Sequence, residues 1–102
     1  MDYSEPYYII GRNLRQGPAV EKSIYTREYA VLLKTLRQVR RGARVTQVEL
    51  ARRLGQSQSF VSKCERGDRR LDLVQLRTIC LALGTTLTAF VRNYERRLGK
   101  KR

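Results

Sequence analysis

Apolar side chains recur at helical spacing in five stretches of this chain, and short polar links separate the stretches. A period of three to four residues is typical of helices that bury one face, so the pattern predicts an all-α domain of five helices. The first helix is expected to begin after Thr26. Its predicted buried positions are Tyr29, Leu32, Leu33, Leu36 and Val39.

The second stretch opens with a capping signature. Thr46 is followed three residues later by Glu49, a spacing that lets each side chain bond the other residue's amide. A helix is therefore predicted from Gln47 onward, and Gly55 is expected to end it because glycine tolerates the left-handed conformation. The apolar stripe predicted for this helix comprises Val48, Leu50, Ala51 and Leu54.

The third stretch follows after only Gly55 and Gln56. Ser57 is a good N-cap residue, and we predict a helix over residues 58–66 that ends at Gly67. Val61 and Cys64 are spaced to face inward. The side chains expected on the opposite face are Gln58, Ser59, Ser62, Lys63 and Arg66.

Two further helices are predicted after this pair. Asp72 is placed to cap the fourth, which Gly84 is expected to end, and Thr86 is placed to cap the fifth. The sequence thus predicts a helical hairpin, formed by the second and third helices, inside a five-helix domain.

The net charge of the chain indicates what kind of partner this helical domain binds. The chain carries 22 Lys and Arg against 9 Asp and Glu, a net charge of +13. Residues 1–22 are neutral, whereas residues 23–98 carry sixteen basic and six acidic side chains and residues 99–102 add three basic ones. A field of this strength indicates a polyanionic partner, since solubility alone does not require so large an excess on one small domain.

The composition also argues against several classes of protein and of site. No apolar run approaches a membrane span and no signal peptide is recognisable, so we expect a soluble, cytoplasmic protein without membrane contact. There is no histidine, and Cys64 and Cys80 fall on apolar faces, so we predict buried reduced thiols, a disulfide being the alternative, and neither a metal site nor a cofactor. Scattered carboxylates and the lack of a Gly-rich phosphate loop argue against an enzyme.

The hairpin resembles the helix-turn-helix of the Cro and phage-repressor family. The resemblance rests on Thr46-Gln47, Glu49-Leu50-Ala51, Leu54-Gly55, Ser57, Val61-Ser62 and Glu65-Arg66-Gly67, and with the flanking helices it covers about residues 26–98. It implies a phage-repressor-like DNA-binding domain with the motif as its second and third helices. One departure concerns the link before the motif, where Arg44 stands in place of the glycine that most relatives carry.

The resemblance also implies an ion pair. The family's matching glutamate pairs with an arginine of the first helix, and here Glu65 and Arg40 occupy those positions. We expect a partly buried pair that locks the third helix to the first. The alternative is an exposed Glu65 near the helix end.

Double-stranded DNA is the partner that this resemblance implies, and each outward side chain is given one of two roles. The predicted base-reading residues are Gln58, Ser59, Ser62 and Lys63. The predicted phosphate contacts are Gln47, Ser57, Arg44, Arg66, Arg69 and Arg70. Phe60 has two interpretations, packing against neighbouring helices or contact with a thymine methyl, of which packing is favoured.

Family members usually bind palindromic sites as dimers, so a homodimer is expected. The candidate dimer face on the last helix comprises Phe90, Val91, Tyr94 and Leu98. The leading hypothesis is a bacterial or phage transcriptional repressor. The alternatives are an antitoxin that also binds a toxin, and a non-catalytic adaptor that binds protein or RNA.

Three segments result. Residues 1–22 are assigned to an N-terminal arm, for which a short strand, an arm and a lack of fixed structure all stay open. Residues 23–98 form the helix-turn-helix domain, and residues 99–102 form a basic tail.

Overall fold

A computed structural model describes residues 18–99 of the chain, with side chains from Arg27 onward. Within that range the chain forms five helices and no strand, as predicted. The helices are α1 (Pro18–Gly42), α2 (Gln47–Leu54), α3 (Gln58–Arg66), α4 (Leu73–Ala82) and α5 (Leu87–Gly99). Residues 1–17 of the expected arm and residues 100–102 of the expected tail lie outside the described residues.

The start of α1 differs from the prediction. The helix begins at Pro18 rather than after Thr26. Proline is favoured in the first turn of a helix, because its fixed φ suits the helix and the first turn does not need its amide hydrogen. Apolar periodicity is weak before Thr26, so the predicted start lay too late although Pro18 is a start signal.

One core joins all five helices. Its buried apolar members are Leu36, Val45, Leu50, Ala51, Val61, Leu76, Ile79, Cys80, Leu83 and Phe90. Leu36 of α1 and Phe90 of α5 are almost fully buried, at 1% and 2% exposure. Burial of a large apolar side chain stabilises a fold by about 1.5–3 kcal/mol, so these two contribute strongly to holding the first and last helices together.

Two predictions about α2 were wrong in detail. Val48 is 65% exposed and does not belong to the apolar stripe, because the helix turns it away from the side that buries Leu50 and Ala51. The Glu49 amide does donate to the Thr46 hydroxyl at 3.0 Å, but the Glu49 carboxylate binds Arg52 and Arg53 instead of returning to Thr46. Charge-assisted bonds to guanidinium groups outcompete the neutral amide.

The remaining caps follow the sequence. Asp72 and Gln75 form a reciprocal capping box at the start of α4, and Thr86 accepts from the Ala89 amide at 3.0 Å at the start of α5. Cys64 and Cys80 are buried free thiols, and burial raises the pKa of both. The core thus holds reduced cysteines that behave as small apolar side chains.

No single helix in residues 18–99 is long and apolar enough to cross a membrane. Of the helices in this range, only α4 and α5 taken together have that length and apolar composition, and the two helices are bent by 106° relative to each other.

Candidate nucleic-acid interface

The turn between α2 and α3 places the second helix of the motif. Gly55 takes a left-handed φ of 68°, and its amide bonds the carbonyls of Ala51 and Arg52 to close α2. Ser57 then accepts from the Phe60 amide at 3.1 Å, so its hydroxyl caps α3. The sequence had also made Ser57 a candidate phosphate contact, and its backbone is the part left for that role.

Helix α3 divides into an inner and an outer side. Val61, Cys64 and Glu65 are buried against the rest of the protein. Gln58, Ser59, Lys63 and Arg66 are exposed and Ser62 is half-buried, so the five side chains that the sequence placed outward do lie on or near the surface. Phe60 is partly buried and packs against the core, which is the packing alternative.

A buried ion pair joins α3 to α1. The Arg40 guanidinium donates from Nε to Glu65 Oε2 at 2.6 Å and from Nη2 to Oε1 at 3.1 Å. Arg40 is 7% exposed and Glu65 is 2% exposed. A third bond, from Arg40 Nη1 to the Val45 carbonyl at 2.9 Å, ties the pair to the link before α2.

The same carboxylate orients a polar relay on the outer side of the motif. Gln47 Nε2 donates to Glu65 Oε1 at 2.9 Å, and Gln58 Nε2 donates to Gln47 Oε1 at 2.7 Å. Because an ionised carboxylate only accepts hydrogen bonds, Glu65 fixes which end of the Gln47 amide faces Gln58. Gln58 consequently keeps its carbonyl oxygen and one N–H for a further partner. Sequence reasoning missed this relay, since Gln47 was assigned to phosphate alone.

A second surface cluster lies at the other end of α3. Arg66 donates from Nη1 to the Ser62 hydroxyl at 2.5 Å and from Nε to Asp68 Oδ2 at 3.0 Å. Arg66 Nη2 also lies 2.9 Å from Asp68 Oδ2, and both side chains are more than half exposed. No role was predicted for Asp68 from the sequence.

The two arginines after α3 stack on aromatic rings. The Arg69 guanidinium lies 4.9 Å from the centre of the Phe60 ring, and that of Arg70 lies 4.7 Å from the centre of the Tyr29 ring. A cation over a ring is attracted by the ring's negative face, which restricts the orientation of the flexible side chain. Both guanidinium groups stay at the surface, since both residues are exposed.

Arg44 occupies an unusual backbone conformation. Its φ is +63°, the left-handed region, and it is the one residue other than glycine with positive φ in the described part of the chain. For a residue with a Cβ atom this conformation costs about 1–2 kcal/mol. The arginine therefore stands where the link path favours glycine, with its side chain exposed beside the start of α2.

The candidate dimer face on α5 is only partly at the surface. Phe90 is 2% exposed and belongs to the core, and Tyr94 packs beside the core and donates from its hydroxyl to the Glu28 carbonyl at 3.1 Å. Leu98 is half-buried, and Val91 is 39% exposed. Of the four, Val91 is thus the most exposed.

Comparison with known proteins agrees with this geometry. The family model of a helix-turn-helix domain matches residues 31–90. The solved structure of an XRE-family like protein from Pseudomonas syringae pv. tomato str. DC3000 is 41% identical, with a TM-score of 0.71, and the match covers 76% of this chain and 95% of that chain. No curated protein matches significantly.

Both matches are to helix-turn-helix proteins, in agreement with the fold expected from the sequence. The XRE family is a non-catalytic family whose helix-turn-helix binds DNA. The family match spans α2, the turn, α3 and α4 together with parts of α1 and α5. The chain belongs to the XRE family of helix-turn-helix DNA-binding proteins.

Proposed function

We propose that this protein is a sequence-specific transcriptional regulator that binds double-stranded DNA with α3 in the major groove. It acts in the cytoplasm of a bacterium, or of a phage host, as a repressor whose dimer covers a palindromic operator. The observation that carries the proposal is the relay from Glu65 through Gln47 to Gln58, because it presents an oriented amide at the start of α3.

The free groups of Gln58 suit adenine. Its Oε1 can accept from adenine N6, while the N–H that Gln47 does not use can donate to adenine N7. A bidentate pair of this kind discriminates between bases by about 1–3 kcal/mol. The exposed Ser59 and Lys63 and the half-buried Ser62 extend this set along the outer side of α3, and we call the four proposed base-contacting side chains the reading edge.

Phosphate contacts surround this edge. Arg69 and Arg70 present guanidinium groups held over Phe60 and Tyr29, and Arg44 lies beside the start of α2. Phosphate is also favoured at the N-termini of helices, so the first amides of α2 and α3 add to the role of Gln47 and Ser57. These contacts set the position of α3 without reading sequence.

A homodimer is proposed because the reading edge of a single chain is short. One helix contacts only a few base pairs, and two helices related by a two-fold axis read two half-sites about one helical turn apart. The exposed apolar surface at Val91 on α5 is the starting point for such an interface. A protein that lies across an operator blocks transcription by occupying the promoter, which is why repression is proposed.

Selection of bound fragments from random duplex DNA tests this function. We expect an enriched motif with two-fold symmetry and half-sites about 10 base pairs apart. Sedimentation of the protein with the recovered duplex should give two chains per site. Uniform recovery of all sequences would contradict sequence-specific regulation, and one chain per site would contradict the dimer.

A further inference from the structure

Ser62, Arg66 and Asp68 form a contact set that we call the Arg66 clamp. Arg66 donates from Nη1 to Ser62 at 2.5 Å and from Nε to Asp68 at 3.0 Å, and its Nη2 lies 2.9 Å from the same Asp68 oxygen. The guanidinium is thereby folded back along α3 toward Ser62. It lies on the outer side of the helix, among the candidate base-reading residues.

Stability does not account for the clamp. The side chains of Arg66 and Asp68 are 57% and 56% exposed, and ion pairs this accessible contribute little to folding. A carboxylate beside a DNA-binding surface also repels phosphate. Of the other carboxylates of α3 and its following loop, Glu65 is buried on Arg40 and Asp72 caps α4, so Asp68 is the exposed acidic group that contacts a side chain of α3.

The bonds of the clamp leave Arg66 with a defined pair of donors. Of the five N–H groups of a guanidinium, hydrogen bonds engage the one on Nε and one on Nη1 of Arg66, and Nη2 lies 2.9 Å from Asp68 Oδ2. One N–H remains on each terminal nitrogen. Two donors on adjacent nitrogens match the O6 and N7 acceptors of guanine, and arginine to guanine is the commonest specific contact in the major groove.

We propose that Asp68 is a specificity-determining residue that positions Arg66 to read a guanine. Ser62 then serves as the second support of the clamp, and Arg66 contacts a base edge rather than the phosphate that the sequence analysis assigned to it. The inference rests on the proposed function and names one element of the sequence that the protein reads. Asp68 acts through Arg66 and does not itself contact DNA.

The test uses the duplex that wild-type protein selects from random DNA. Each guanine of a half-site is replaced in turn by adenine, with its partner changed to match, and binding is measured by fluorescence anisotropy at fixed salt. One guanine should be preferred by roughly 5- to 150-fold, the range for a bidentate contact. Asp68→Asn should reduce that preference to about threefold or less and leave the preferences at other positions unchanged, whereas Asp68→Glu should retain most of it.

Two variants make the result specific. Arg66→Lys keeps the charge but removes the planar guanidinium with its paired N–H donors. This variant should therefore lose the same guanine preference as Asp68→Asn. Glu95→Gln removes one carboxylate from the exposed surface of α5 and should leave every preference unchanged. The melting temperature of each variant should match that of wild type, because the exchanged groups are exposed.

Two results would overturn the proposal alone. In one, Asp68→Asn tightens binding to every duplex by the same factor, so Asp68 only repels phosphate. In the other, the guanine preference survives in Asp68→Asn. A wild-type protein with no sequence preference would overturn the proposed function and this inference together.

Discussion

Arg40 of α1 holds both carboxylate oxygens of Glu65 on α3, with its Nε 2.6 Å from Oε2 and its Nη2 3.1 Å from Oε1. A neighbouring arginine adds to the attachment, since Arg37 Nη1 donates to the Glu65 carbonyl at 2.8 Å. The orientation of α3 is therefore set by side chains of α1, a helix that is not part of the helix-turn-helix. The same carboxylate also orients Gln47 and, through it, Gln58.

Loss of the Glu65 carboxylate should destabilise the fold strongly. Glu65→Ala leaves Arg40 charged and buried without its partner, a change that typically costs about 3–5 kcal/mol. Urea unfolding followed by circular dichroism measures the change in the free energy of unfolding. Glu95→Ala, which removes an exposed carboxylate of α5, is the control and should leave the unfolding midpoint where it is. If the two substitutions lowered the free energy of unfolding equally, the buried pair would stabilise the fold no more than an exposed carboxylate does.

The two glycines that end α2 and α3 should differ in their tolerance of a side chain. Both have positive φ, 68° at Gly55 and 87° at Gly67, so alanine is strained at either position by about 1 kcal/mol or more. A Cβ atom at Gly67 would also lie 3.0 Å from Leu33 Cδ1, whereas at Gly55 it would meet nothing within 4 Å. Gly67→Ala should therefore lower the thermal midpoint more than Gly55→Ala. The reverse order would show that the Leu33 contact relaxes freely.

Glu49 should titrate in strongly acidic solution. Hydrogen bonds from Arg52 and then Arg53 lower the pKa of its carboxyl from 4.5 to about 2. Since the folded-state pKa lies below the unfolded value, the stabilisation is complete above about pH 4.5 and is lost as the pH falls toward 2. A carboxyl-detected NMR titration at low salt should give a midpoint near 2, and Glu49→Gln should flatten the dependence of stability on pH in that window. A midpoint near 4.5 would contradict the hydrogen bonds of Arg52 and Arg53 to the Glu49 carboxylate.

The starts and ends of several helices can be predicted from the sequence because they depend on local chemistry. Thr46, Ser57 and Asp72 are cap residues at the spacing that helix starts require, and each caps a helix in the structure. Gly55 and Gly67 mark helix ends through their left-handed conformation. Such signals need only the residue and its neighbours along the chain.

Other features depend on contacts that no local pattern encodes. Gln47 and Gln58 are eleven residues apart, and their bond arises because the turn brings the starts of α2 and α3 together. Arg66 and Asp68 are only two residues apart in the chain. Exposed charged side chains at a helix end can adopt many rotamers, however, so the sequence alone does not predict which contact they make. Val48 was misplaced because a helix of eight residues defines its buried face by packing more than by pattern.

Arg69 should contribute to affinity without affecting sequence preference. Its guanidinium is held over Phe60 and is proposed to contact phosphate. Arg69→Ala should make the dependence of log affinity on log salt shallower by about 0.9 for each lost contact, hence about twice that for a dimer. Titrations of one duplex over a series of salt concentrations measure the slope.

The control for this substitution is Arg96→Ala, which removes an exposed arginine of α5. It should leave the slope close to that of wild type. A slope that Arg69→Ala does not change would remove Arg69 from the phosphate contacts, and a changed base preference would move it to the reading edge.

Gln58, oriented on α3 through Gln47, is the side chain that we propose to read one base of each half-site. Parallel selections from one random duplex pool with wild-type protein and with Gln58→Ala test this proposal most directly. We predict a two-fold symmetric motif with wild type, and loss of preference at one adenine position in each half-site with Gln58→Ala while the remaining positions persist. Identical motifs from the two proteins would contradict the account, because Gln58 would then have no part in reading DNA.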